Sequence, residues 1–263
     1  LAICAALAGC EPRHLPVLVA ALSSFTDPDL NAYGFLTTTG NAAPLLMING
    51  RARGELGFNG GPNCLGPGNR SNATVGRCIS LVARIVGSAR EGMADMATMG
   101  QPAKYTFCFA ENEEANPWEP LSVERGFQPD ESAVTLIGIS GSMEVLEAET
   151  GLVDDMFAVI AATLTTSAPA MALGERRIGG GQPVVVISPE WATQMAKAGL
   201  SKLDVKGELY DRASREVGGE TLRVAAKPED IVVVVAGGFG IKQTVIPNWN
   251  GGSMAVTTAV HLE

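Results

Sequence analysis

The stretches PLLMING at residues 44–50 and PVVVISP at residues 183–189 decide the fold. Each opens with proline, continues through an unbroken run of apolar side chains, and closes on a polar residue where a short helix begins. Runs this short and this uniformly apolar suit strands buried on both faces, as in the parallel part of an α/β sheet. A second pair, TFCFAE at 106–111 and VVVVAG at 232–237, repeats the pattern. Both of its strands stop after an alanine and run into an unusual loop.

Periodicity and punctuation fill in the neighbours. Helices are expected at 13–25, 50–56, 71–86, 150–166, 189–198 and 202–214, and strands at 44–49, 105–110, 133–139, 183–188, 231–236, 243–247 and 254–259. In the helix at 71–86, Val75, Ile79, Val82 and Val86 share one face. Long helix, strand, short helix, second helix, strand and strand thus occur twice in the same order. The expected fold is α/β with mixed sheets, made of two similar halves at residues 1–140 and 141–263 related by internal duplication.

Composition narrows the function classes. The 263 residues carry 19 Lys and Arg against 28 Asp and Glu, a net charge of −9. That balance opposes nucleic-acid binding, which needs clustered cations against the phosphate backbone. The acidity is local, since residues 105–175 hold one basic and 13 acidic side chains, and a solvated face is the default expectation for them. Cys4, Cys10, Cys64, Cys78 and Cys108 form no CxxC pair and read as reduced thiols of a cytoplasmic protein. No apolar run reaches the roughly 18 residues of a membrane span. LAGC at 7–10 has the form of a lipoprotein cleavage box, but EP and a strongly apolar helix follow it in place of a polar tether. Gly9 is expected to end one helix there and Pro12 to open the next. The first residue is Leu, and the chain reads as a fragment opening inside a helix.

Ligand chemistry in an α/β unit is expected at the C-terminal ends of the strands, of which Asn49-Gly50, 111–114, 188–190 and 237–240 with Lys242 are distinctive. The loop GGPNCLGPG at 60–68 leads into the helix at Ser71 and offers backbone N–H groups and a helix N-terminus to a carboxylate or phosphate. Arg70 and Arg77 would bind such an anion, and Asn72 in the first turn would orient it. Arg84, seven residues beyond Arg77, continues the stripe as a solvated cation. Asn112, Gly237, Gly238 and Lys242 are further candidates for substrate contacts at strand ends, whereas Ser188 before Pro189 reads as a helix cap.

Glu111 and Glu113 are the candidate proton movers, if burial and mutual repulsion split their pKa values. With Glu114 they could instead be a solvated loop or oxygen ligands for Mg²⁺ or Mn²⁺. No metal is assigned, and the sequence identifies no cofactor; with two His and no paired Cys, zinc is disfavoured. Cys64 would need His14 or His261 as a base, the only histidines in the chain, and Cys108 alternates within a strand as a core residue.

NATVGR at 72–77, GQPAKYTFCFAENEE at 100–114, PWEP at 117–120 and ERGF at 124–127, with AGCEP at 8–12 and VVAGG at 234–238, resemble a bacterial family of uncharacterised proteins. Its members often accompany the UGSC family of thiol proteins or selenoproteins. The resemblance implies a redox-linked thiol or selenol partner, a longer N-terminal sequence, a non-nucleophilic residue at the position of Cys64, and no named reaction. The combined expectation is a cytoplasmic enzyme, or catalytic subunit, acting by acid/base chemistry on a small anionic organic substrate in a cleft between two halves. The alternative is a noncatalytic ligand-binding or partner subunit of a thiol or selenol redox system. Oligomer formation is compatible with either.

Overall fold

The computed structural model describes residues 1–147, 149–167, 181–217, 219–249 and 251–262. The chain is α/β with mixed sheets. It opens with α1 (Ala2–Ala8), α2 (Leu15–Ser23) and α3 (Ala32–Thr37), followed by β1 (Ala43–Asn49), α4 (Ala52–Glu55), α5 (Arg70–Ile85) and β2 (Cys108–Ala110). Then come α6 (Leu121–Glu124), β3 (Ala133–Ile139), β4 (Met143–Leu146), α7 (Val153–Ser167), β5 (Val184–Ile187), α8 (Pro189–Lys197) and α9 (Lys202–Arg212). A hairpin of β6 (Ser214–Val217) and β7 (Glu220–Arg223) precedes β8 (Val232–Val235), β9 (Lys242–Ile246) and β10 (Val256–Ala259).

Two four-stranded sheets carry the structure, ordered β10-β3-β1-β2 and β4-β9-β5-β8. In the first, β1 runs parallel to β2 and antiparallel to β3, which pairs antiparallel with β10. In the second, β5 runs parallel to β8 and antiparallel to β9, which pairs antiparallel with β4. Strand order and direction are therefore the same in both sheets, and residues 45–49 and 184–188 hold equivalent positions. The outermost strands are exchanged: β4 follows β3 in the chain yet extends the second sheet, while β10 follows β9 yet extends the first. Residues 141–263 thus supply one strand of the first sheet.

Alternation along the strands sets the layers. Leu46 and Ile48 of β1 join a core with Val17 and Leu18 of α2 and Val75 and Ile79 of α5. Leu45 and Met47 point the other way and meet Val184, Val186, Val232 and Val234 of the second sheet. Val185, Ile187, Val233 and Val235 then face α7, α8 and α9 through Ile160, Trp191 and Leu209. The order is helix, sheet, sheet, helix. The buried strands β1, β5 and β8 each have apolar demand on both faces, which is why their sequences are uninterrupted.

Local departures have local causes. The strand expected from residue 105 starts at Cys108, because residues 102–104 form a 3-10 turn and Tyr105 is exposed. Val86 lies past the last turn of α5 and is exposed, while Val75 and Ile79 are buried as expected. Gly9 caps α1 at φ +85°, and Pro12 opens the next turn, as expected at the cleavage-box motif. Gly76 lets α5 lie against the chain entering β2; a Cβ there would come within 2.5 Å of Thr106 Oγ1. Among the described residues no helix is long and apolar enough to cross a membrane.

Candidate functional site

The C-terminal ends of the two parallel strand pairs converge. The amide of Glu111 donates to Ile48 O in the first sheet, and the amide of Ala236 donates to Ile187 O in the second, each at 3.1 Å. Two further bonds cross between the sheets: Asn112 N to Val235 O, and Gly237 N to Gly60 O, both 2.8 Å. Asn112 also reaches Gly237 O through its Nδ2 at 3.4 Å. Gly60 is pressed onto the end of β2, where a Cβ would lie 2.5 Å from Ala110 O.

Glu111 sits at this junction, 1% exposed. Its Oε2 accepts from Asn49 Nδ2 at 2.7 Å and Leu121 N at 2.8 Å. Its Oε1 accepts from Asn116 Nδ2 at 2.9 Å and, more weakly, from Val235 N at 3.5 Å. Burial pushes its carboxyl above the usual range, while Lys202, the Leu121 amide and Asn49 pull it back. Glu113 accepts at Oε1 from Asn49 Nδ2 and Gly50 N, and its Oε2 pairs with Arg53 at 2.9 Å. Arg53 also forks onto Glu114, through Nη1 and Nη2 at 2.9 Å each. Glu111 and Glu113 are therefore not part of a solvated loop, whereas the Glu114 side chain is exposed. Every oxygen of Glu111 and Glu113 has a partner, and neither residue lines the clefts described below.

Asn72 is turned to structural use as well. Its Oδ1 accepts from Asn59 N at 2.9 Å, and its Nδ2 donates to Asn59 O at 2.9 Å and Cys64 O at 3.0 Å, which holds the glycine-rich loop against α5. Asn69 caps that helix. Ser188 caps α8 as expected and donates through Oγ to Gly240 O at 2.7 Å.

Two clefts flank Cys64 and Leu65 of this loop. One, of about 470 Å³, lies between the halves, with Pro62 and Leu65 on one wall and Ser188, Gly237, Gly238, Phe239 and Lys242 on the other. The second, of about 610 Å³, runs from Cys64 past Asn72 to Gln101, Thr106 and Ser140. Burial raises the Cys64 thiol to about 11 against backbone groups of Gly237, Cys64 and Leu65, so this sulfur rests protonated. The amides of Gly238, Phe239 and Gly240 make no hydrogen bond among the described residues. Lys242 pairs with Glu144 across the exposed β4–β9 edge at 2.6 Å.

The arginines lie elsewhere. Arg70 donates to Gly9 O at 3.1 Å and pairs with Glu11 at 3.0 Å. Arg77 and Arg84 line the same separate cleft, beside Lys104 and Asp95, and Arg84 pairs there with Glu91. Gly237, Gly238 and Lys242 are thus brought together, with Asn112 behind them, whereas Arg70 and Arg77 do not join them. The sequence reading placed Asn49 at a distinctive strand end without its partner, and missed Asn116 and Lys202. Lys202 is 2% exposed, pairs with Glu124 at 2.9 Å and donates to Glu119 O, and nothing in its helical context sets it apart from a surface lysine. Among the described residues, no three His, Cys, Asp or Glu side chains converge as a metal site. No protein-family model matches the chain, and no curated protein is significantly similar to it.

Proposed function

We propose that this protein holds a small anionic organic molecule in the cleft between its halves, at the ends of the two parallel strand pairs. The observation that carries the reading is the run of free amides at Gly238, Phe239 and Gly240 on the wall of one cleft that Lys242 also lines, its ammonium turning from Glu144 to the anion on binding. Unpaired N–H groups and an ammonium together favour a carboxylate or phosphate. Pro62, Leu65 and Phe239 supply the apolar surface that a carbon skeleton would cover. Glu111 and Glu113 enter this reading as the clamp that fixes both strand ends, not as the groups that move protons. An enzyme of this type would work on the bound anion with groups on the cleft walls. The shared sheet topology also favours descent of both halves from one duplicated unit.

Calorimetric titration with inorganic phosphate and with small mono- and dicarboxylates tests the reading, alongside native mass spectrometry of the purified chain. Saturable heat with one of these probes, or a retained anion, supports it. A panel without heat and a chain without a retained molecule oppose it.

A further inference from the structure

The segment that follows α5 forms a second surface, which the cleft between the halves does not use. Six of the 19 large apolar side chains exposed among the described residues lie between positions 85 and 105: Ile85, Val86, Met93, Met96, Met99 and Tyr105. Met99 and Tyr105, 87% and 69% exposed, stand on a cleft of about 400 Å³ that Arg77, Arg84 and Lys104 also line. A cavity of about 100 Å³ adjoins it, sharing those three cations and reaching Phe35, Leu36 and Ser80. Arg84 donates to Glu91 through Nε at 3.1 Å, and Lys104 donates to Asp95 through Nζ at 2.6 and 2.7 Å. Arg77 has no ion pair and no side-chain hydrogen bond among the described residues. One turn along the same face of α5, the Ser80 hydroxyl is buried and also without a partner. A hydroxyl inside a helix can donate to the carbonyl four residues back, as Thr74 does to Arg70 O at 2.9 Å, so a buried one that does not marks a place for an acceptor.

We propose that this cleft is a docking groove for an acidic segment of a partner protein, one that sets a carboxylate side chain beside an apolar residue. Charge complementarity selects the occupant. The chain carries a net charge of −9, yet residues 77–104 hold four cations and two carboxylates, and Arg84 and Lys104 already take both carboxylates. Arg77 and Arg90 are left over. In the small cavity, the carboxylate of a partner glutamate or aspartate would accept from the Arg77 guanidinium and the Ser80 hydroxyl. The apolar neighbour would cover Met99 and Tyr105, in keeping with the surplus of Met, Tyr and Arg at protein interfaces and the adaptability of exposed methionine. The negative charge of the rest of the chain steers an acidic segment away from other faces. Free phosphate or a small carboxylate makes the charged contact without the apolar one and gains little here, which separates this groove from the cleft between the halves.

The test is a peptide array, probed with the labelled full chain, whose spots each place two glutamates around one leucine, methionine or phenylalanine, with lysine replacing glutamate in control spots. The tightest-binding peptide is then made with a fluorescein label and titrated by fluorescence anisotropy. Binding to acidic spots and not to the lysine controls is expected. Arg77→Ala is expected to weaken the titrated peptide about ten-fold or more, Met99→Ala and Tyr105→Ala several-fold each, and Lys242→Ala not at all. Met99 and Tyr105 are exposed, so their variants keep the test decisive even if melting shows that Arg77→Ala fails to fold. Lys242 belongs to the other cleft, so a failure of the small-anion reading and a failure of this one are told apart. Acidic spots that stay blank, lysine controls that bind equally, or peptide binding that the Arg77, Met99 and Tyr105 variants all leave intact would overturn the proposal. So would a dimer of the wild-type chain that Tyr105→Ala dissolves, because a second copy would then be the occupant.

Discussion

At the scale of single residues, the fate of Glu111 follows from how many donors surround it. Four N–H donors from four segments converge on its two oxygens, so the carboxylate ties the ends of β1, β2 and β8 to the loop before α6. Removing it leaves those donors without an acceptor in a place water does not reach. Glu111→Ala is therefore expected to cost about 3–5 kcal/mol, by analogy with breaking a buried charged network. For a chain of this length that corresponds to a fall in Tm on the order of 10 °C, read by thermal melting. A loss below about 1 kcal/mol would show that the carboxylate is not a structural clamp. The sequence made the strand end visible, because ENEE after TFCFA places a charged cluster where a ligand crevice forms. It did not reveal which way the charge points. That depends on Asn49, whose strand-end position is legible but whose partner is not, and on Asn116, which is indistinguishable from any loop asparagine until the chain is folded.

At the scale of elements, the exchange of outer strands links the halves. β10 covers the open edge of β3, and the Thr135–Thr257 and Ser24–Thr258 hydroxyl pairs fix it there at 2.9 and 2.8 Å. An uncovered, apolar β3 would present unpaired N–H and C=O groups to another chain. Removing residues 254–263 should therefore convert a discrete species into larger assemblies, followed by light scattering during size exclusion. An unchanged mass with an unchanged melting curve would mean that β10 adds nothing to the sheet. The interior strands were legible because burial on both faces leaves an unbroken apolar signature. β4 was not, since Val145 is its one buried side chain and MEVL at an edge carries no period strong enough to register. The β6–β7 hairpin escaped for the same reason, as SREV and ETLR carry no regular apolar alternation in their sequences.

At the scale of the molecule, one residue of the acidic middle, Glu124, links the halves, while most of its neighbours in that segment are exposed. Glu124 of α6 meets Lys202 and Lys206 of α9, both lysines buried. Burial raises the Glu124 carboxyl, but the two ammonium groups outweigh it and hold the group below its ordinary 4.5. The unfolded chain therefore binds this proton first as pH falls. The stabilisation is present above about pH 4.5 and is lost as pH drops through the lower folded value. Glu111 has the opposite sign: its carboxyl is raised, so its share declines as pH rises from the ordinary value through the raised one. Urea midpoints measured between pH 3 and pH 7 should show a flatter acid limb in Glu124→Gln than in the wild type. Parallel limbs would remove Glu124 from the acid response.

The claim that the ligand site lies between the halves, and not on the arginine stripe of α5, is tested most directly by comparing two single-charge variants. Lys242 lines the inter-half cleft, while Arg77 lines a separate one. Each substitution to alanine removes one positive charge, so screening and long-range fields act on both alike. A direct charge-assisted contact contributes roughly 1.5–3 kcal/mol, or about ten-fold or more in Kd. In titrations with the phosphate or carboxylate probe that binds the wild type, run at two salt concentrations with folding checked by melting, Lys242→Ala is predicted to weaken binding about ten-fold or more and Arg77→Ala to leave it unchanged. Loss of binding in Arg77→Ala with full binding in Lys242→Ala would contradict the account and move the site to α5.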